Sequence, residues 1–94
     1  MTDRSFKWNA AKAITNLRNH GVSFEEGAIV FKDPLGRLIP APDHSTTETR
    51  FVLMGMSEQM RILVVVHVER TDSIRIISAR KATRWERRAY EENA

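Results

Sequence analysis

The chain has 94 residues, with 15 Lys or Arg against 12 Asp or Glu for a formal net charge of +3, and no cysteine. That length supports one hydrophobic core, so residues 1–94 read as a single domain, and the lack of cysteine excludes disulfides and thiolate metal sites, as in a reducing cytosol. No apolar run approaches the ~20 residues of a membrane helix and MTDRSFKW carries no signal-peptide hydrophobic stretch, so a cytoplasmic protein without membrane contact is expected.

In chain order, Ser5-Phe6-Lys7-Trp8 alternates polar and aromatic residues, which predicts a short edge strand with both rings on one face. Asn9 is placed to cap a helix whose apolar face is Ala10, Ala13, Ile14 and Leu17, with Lys12, Asn16 and Arg18 turned away, and Gly21 ends it. Ser23 and Glu26 form a capping-box pattern for a second helix with Phe24, Ala28 and Phe31 as its buried stripe. Asp33-Pro34 closes that helix, and the short connection makes the two a helical hairpin.

Between residues 35 and 42 the prolines allow only a short edge strand, Arg37 to Ile39. Asp43 to Thr49 is a polar, glycine-free segment expected to be a mobile loop. Arg50 to Met56 predicts a strand, turned by Ser57 to Gln59 into Ile62 to Val68. This last run is apolar except for His67 and β-branched enough to be a central strand covered on both faces. Glu69 to Ser73 is polar, and Ile74 to Ala79 resumes the β-branched pattern, so the two runs form a hairpin. Thr83 and Glu86 make another capping box, opening a helix toward the C-terminus. Arg87 with Glu91 and Arg88 with Glu92 have the spacing of i, i+4 ion pairs.

The positive charge is concentrated. Residues 61 to 88 carry Arg61, Arg70, Arg75, Arg80, Lys81, Arg84, Arg87 and Arg88 against Glu69, Asp72 and Glu86. That excess fits a polyanion-binding surface as well as it fits a solvated helix face.

GxGxxG, Walker, GxSxG and HExxH patterns are absent, and His20, His44 and His67 lack metal-ligand spacing, so neither a metal nor a cofactor is expected. A chemistry that needs only acids, bases and cations fits the residues at hand. RNA brings its own nucleophile, the 2′-hydroxyl, and cleavage requires removal of that proton, stabilisation of an anionic phosphorane and protonation of the leaving oxygen. His67 and Glu69 alternate onto one side of their strand.

Arg75 joins that side or the other according to hairpin register: a two-residue turn pairs it with Val68, a three-residue turn with Glu69. A guanidinium between Ile74 and Ile76 needs an open face, a carboxylate or a phosphate. The bland readings stand beside these: His67 as a core histidine, Glu69 as a turn or salt-bridge residue, and Trp8, Trp85 and Tyr90 as core aromatics rather than base-stacking ones.

The segments FKWNAAKAITNLRNHGVSFEEGAIVF, DPL, PDHS, RFVLMG, RILVVVHVER and IRIISARKATRWERRAYE, in that order from Phe6 to about Glu91, resemble the BrnT family of bacterial toxins. The resemblance implies a RelE-like α+β fold: an N-terminal helical hairpin, a three- to four-stranded antiparallel sheet and a C-terminal helix. It implies a ribonuclease toxin that inhibits translation, is neutralised by a BrnA-like antitoxin, and reaches operator DNA through the antitoxin complex.

The family's recurrent polar positions match His67, Arg70, Arg75, Arg80, Lys81, Glu86 and Arg87, while Val68 stands where the family often has Thr or Tyr. With the pattern above, this makes His67, Glu69, Arg70 and Arg75 the catalytic candidates and Arg80, Lys81, Arg84 and Arg87 the RNA-binding ones, with no metal required. The competing reading is a non-catalytic nucleic-acid or protein binding module within an autorepressor complex.

Overall fold

Helical and strand periodicities divide the chain in two, and the computed structural model, which describes residues 4–40 and 49–92, follows both. Strand β1 (Ser5–Lys7) leads into helix α1 (Ala10–His20). The side-chain oxygen of Asn9 accepts the Lys12 N–H at 2.9 Å, and Gly21, at φ 68°, takes the left-handed conformation that ends the helix.

Helix α2 (Phe24–Ile29) begins where Ser23 Oγ accepts the Glu26 N–H at 2.9 Å and runs into one 3-10 turn, Val30–Lys32. Its capping box is only half formed. The Glu26 carboxylate does not return to Ser23 but accepts from Ser57 Oγ at 2.6 Å, from Arg61 Nε at 3.0 Å and from Arg61 Nη2. The same guanidinium donates to Gly21 O at 3.1 Å, so one ion pair between the buried Glu26 and the half-buried Arg61 ties both helices to the β3–β4 turn.

Strands β2 (Arg37–Pro40), β3 (Arg50–Met56), β4 (Ile62–Glu69) and β5 (Ser73–Lys81) form the antiparallel meander, and α3 (Arg84–Glu92) follows. The sheet has five strands in the order β1-β5-β4-β3-β2. The fifth is β1, which runs parallel to β5 with Ser5 opposite Ser73, fastened by Ser5 N–H to Asp72 O. Three residues are too few for periodicity to announce this partner. Most of the predicted loop, residues 43–48, lies outside the described residues.

Helices α1 and α2 cover one face of the sheet. The core there is Val22, Phe24, Val30, Leu53, Leu63, Val65, Ile76 and Ala79, with Phe6, Trp8, Ala13, Ala28 and Phe31 packed around it. Trp8 meets Phe24, and Phe6 meets Phe31, both edge to face. Of the predicted apolar face of α1 only Ala13 packs against the core. Asn16 is buried, while Ile14 and Leu17 are 61% and 52% exposed.

The sheet edge explains the reversal. β5 runs beyond the end of β1, which leaves the side of Ala79 away from β4 without a neighbouring strand. Asn16 fills that role: its Nδ2 donates to Ala79 O at 2.7 Å and to Val22 O at 2.9 Å, and its Oδ1 accepts the Ala79 N–H at 3.1 Å. Unsatisfied buried backbone groups cost more than two solvent-exposed apolar side chains. Neither of the two i, i+4 pairs expected in α3 is among the ion pairs of the described residues, which include Arg4–Glu69, Arg61–Glu26, Arg80–Glu86 and the His67–Glu69 contact.

Two stability measurements follow. Replacing Asn16 by Ala strands three buried backbone groups and should lower the unfolding free energy in urea by about 2–4 kcal/mol. A change of less than about 0.5 kcal/mol, the size of an ordinary surface substitution, would contradict the edge-capping role.

The hydrogen bonds of Arg61 hold the Glu26 carboxyl below its ordinary 4.5 despite burial. That contribution is complete above pH 4.5 and lost as pH falls through the lower folded-state value. Glu26→Gln should therefore be less stable at neutral pH by about 2 kcal/mol and show a flatter loss of stability in acid. An unchanged acid limb would refute the assignment.

Candidate nucleic-acid interface

The β4–β5 hairpin decides which side chains share a face. Arg70 N–H donates to Ser73 O at 2.8 Å, Thr71 and Asp72 form a two-residue turn, and Val68 lies opposite Arg75. Paired residues of adjacent strands project to the same side. Arg75 therefore lies on the face away from α1 and α2, with Val68, whereas His67 and Glu69 point toward the helices opposite Ile76 and Ile74. One irregularity separates the hairpin's two halves: Val66 pairs with Ser78 and His67 with Ile76, so Ile77 is the extra residue of a β-bulge.

On the helix side, His67 is fully buried, with Phe31 edge-on at 4.7 Å and Phe51 stacked at 6.0 Å. Its Nε2 lies 3.0 Å from Glu69 Oε2, and its Nδ1 has no partner among the described residues. Glu69 is partly exposed and also accepts from Arg4 Nη1 at 3.3 Å, while the same Arg4 nitrogen donates to Arg70 O at 3.3 Å. Burial pushes the Glu69 carboxyl up, but its bonds to His67 and Arg4 outweigh this and hold it below the usual carboxylate range. The group is an ionised clasp joining the start of the chain to the end of β4. His67 thus has no exposed surface, and Glu69 is its hydrogen-bond partner among the described residues.

On the opposite face, register lines up Lys7 of β1, Arg75 of β5, Val68 of β4 and Arg50 of β3. Four neighbouring strands span about 15 Å, so three cations stand in one row across the sheet. None of them makes an ion pair with another described residue. The neighbouring row on this face is Ile39, Val52, Val66 and Ser78, a mostly apolar floor with one hydroxyl. Lys7 and Arg50 were not singled out by the sequence. The alternation of Ser5 to Trp8 does put Lys7 opposite the rings, but only the pairing of β1 with β5 and of β3 with β4 aligns these residues with Arg75.

The remaining candidates separate. Arg80 lies on this same face, opposite Val64, and is engaged by Glu86 of α3 through bonds of 2.8 and 2.9 Å. Glu86 also accepts the Thr83 N–H at 2.8 Å while Thr83 Oγ1 accepts the Glu86 N–H, a complete capping box. The Arg80 guanidinium, with Thr83, brings the Glu86 carboxyl down to about 2 despite burial.

A second clasp holds the far end of α3, where Tyr90 Oη donates to Asp33 Oδ2 at 2.5 Å. Burial and the Asp33 carboxylate push the Tyr90 phenol up to about 12. Lys81, Arg84 and Arg87 are exposed around this helix, Arg70 is exposed in the turn, and Trp85 is 79% exposed. Trp8 and Tyr90 are thus packed residues, and Trp85 is left as the aromatic open to a base. Among the described residues no three His, Asp or Glu side chains gather as a metal site, and no helix is long and apolar enough to cross a membrane.

Comparison with known proteins agrees with this architecture. The crystal structure of the Brucella abortus ribonuclease toxin BrnT superposes with a TM-score of 0.64, covering 89% of this chain and 100% of that one at 18% identity, a likeness of fold. No curated protein sequence matches the chain. The family model for the ribonuclease toxin BrnT of type II toxin–antitoxin systems matches residues 8–86. A match over that much of the sequence, with the α+β fold of the Brucella protein, places the chain in the BrnT family of type II ribonuclease toxins.

Proposed function

We propose that this ribonuclease toxin holds its RNA on the face of the sheet away from α1 and α2, with the phosphate to be cleaved over Arg75 between Lys7 and Arg50. The observation that carries the reading is the cross-strand row of three cations without acidic partners among the described residues. A carboxylate-free row of positive groups beside an apolar floor attracts a phosphodiester and stabilises the added charge of a phosphorane. The 2′-oxygen attacks phosphorus, its proton passes to water, and the 5′-oxygen leaves, giving a 2′,3′-cyclic phosphate and a 5′-hydroxyl.

Guanidinium groups stay charged throughout, so Lys7 is the member of the row able to deliver a proton to the leaving oxygen. Glu69 with His67 and Arg4 positions the β4–β5 turn. Arg80 positions α3, which presents Arg84, Arg87 and Trp85 to the strand flanking the cleaved link, with Lys81 and Arg70 adding charge at the sheet's two ends. The reaction proceeds without metal in the cytoplasm, where translated RNA is found. A cognate BrnA-like antitoxin neutralises the toxin, and their complex reaches operator DNA chiefly through the antitoxin.

Purified protein incubated with RNA in EDTA should release fragments ending in cyclic or 3′-phosphate. Loss of cleavage on adding EDTA, or inactive free protein, would refute the metal-free mechanism. Arg75→Ala should lower the rate about 10²- to 10³-fold. It should also reduce the salt slope of binding to a 2′-O-methyl oligonucleotide by about 0.7, the amount expected for one phosphate contact on a single strand. A variant with wild-type rate and slope would rule out this face.

A further inference from the structure

Helix α1 presents to solvent what its sequence would have buried. Ala10, Ile14 and Leu17 recur at i, i+4 and i+7 on one face and are exposed, because the inward position is taken by Asn16 on the β5 edge. The helix also carries Lys12, Arg18 and His20 and has no acid. A groove of about 300 Å³ lined in part by Lys12, Asn19, His20 and Ile77 lies on another side of the helix, turned away from the stripe. An apolar stripe on a wholly basic helix is complementary to an amphipathic helix with acidic flanks. A second copy of this chain is disfavoured as the occupant, because two α1 helices packed along this stripe would set two basic helices together, each with Arg18 near the stripe's edge and no acid to offset the charge.

We infer that α1 is the anchoring site for an acidic, amphipathic helix of the antitoxin, separate from the face that binds RNA. The inference rests on the toxin–antitoxin reading, not on which residues cleave RNA. Anchorage and inhibition are then distinct functions. The described residues extend about 30 Å in each direction, so about ten extended residues carry an antitoxin segment from α1 past the sheet edge to the Lys7–Arg75–Arg50 row.

The test compares wild type with Ile14→Glu/Leu17→Glu and with Arg18→Glu, using purified cognate antitoxin, and measures affinity by calorimetry and RNA cleavage by the free toxins. The stripe variant should bind antitoxin at least about a hundredfold more weakly, the loss of a buried hot spot. Arg18→Glu should bind about tenfold more weakly, with a smaller loss in high salt. Both free toxins should cleave RNA at the wild-type rate, which excludes misfolding and keeps this outcome apart from any failure of the proposed RNA face.

Antitoxin affinity within twofold of wild type for the stripe variant would overturn the inference. So would sedimentation showing that wild-type toxin alone dimerises and the stripe variant does not, since the occupant would then be a second copy. Loss of cleavage together with loss of binding would also count against it, because α1 would not be separable from the site of cleavage.

Discussion

The two-residue turn at Thr71-Asp72 decides which side chains share a face of this sheet, because side chains alternate along a strand and one residue of slippage exchanges the two faces. With Val68 opposite Arg75, the guanidinium emerges away from the helices and His67 with Glu69 enters the packed side. A three-residue turn would have set Arg75 beside Glu69 and closed it in an ion pair. The register instead puts Arg75 and Glu69 on opposite faces of the sheet. The β-bulge at Ile77 then resets the alternation, so that Ser78 and Arg80 share the face of Arg75 while Ala79 returns to the core.

The same logic extends to the other acids near the sheet. Glu26 is held by Arg61 and Ser57, Glu69 by His67 and Arg4, Glu86 by Arg80 and Thr83, and Asp33 by Tyr90 and two backbone N–H groups. Each of these carboxylates is held below its ordinary pKa and remains charged at neutral pH. Each fastens one junction: hairpin to β-turn, chain start to β4, α3 to β5, and α3 to the turn after α2. The fold thus uses these anions as clasps, and the Lys7–Arg75–Arg50 row makes no ion pair among the described residues.

Local signals in the sequence were sufficient for local structure. The Asn9 cap, the Gly21 stop, the Ser23 and Thr83 caps and the Ile62 to Val68 central strand depend on contacts within a few residues, and all are present. The fold class was legible for the same reason. What depended on distant partners was not.

The face that α1 buries was set by a backbone gap on β5, sixty residues away, and apolar spacing gave the wrong answer. Glu26 carries the spacing of a capping residue but is taken by Arg61 from another turn. Within the candidate site, the charge excess over residues 61 to 88 was visible, and Arg75 was marked by its apolar neighbours. Lys7 and Arg50 required the pairing of four strands, and the burial of His67 required Phe31 and Phe51, neither adjacent to it in sequence.

The central claim is that register places the RNA on the face opposite α1 and α2, and mapping the bound oligonucleotide residue by residue tests it most directly. Backbone amide shifts would be followed by NMR while a 2′-O-methyl RNA that cannot be cleaved is added. The account predicts perturbations at Lys7, Arg50, Val66, Val68, Arg75 and Ser78, with α1 and the core of α2 unchanged. Perturbations confined to α1 and its groove, with the Lys7–Arg75–Arg50 row silent, would contradict it.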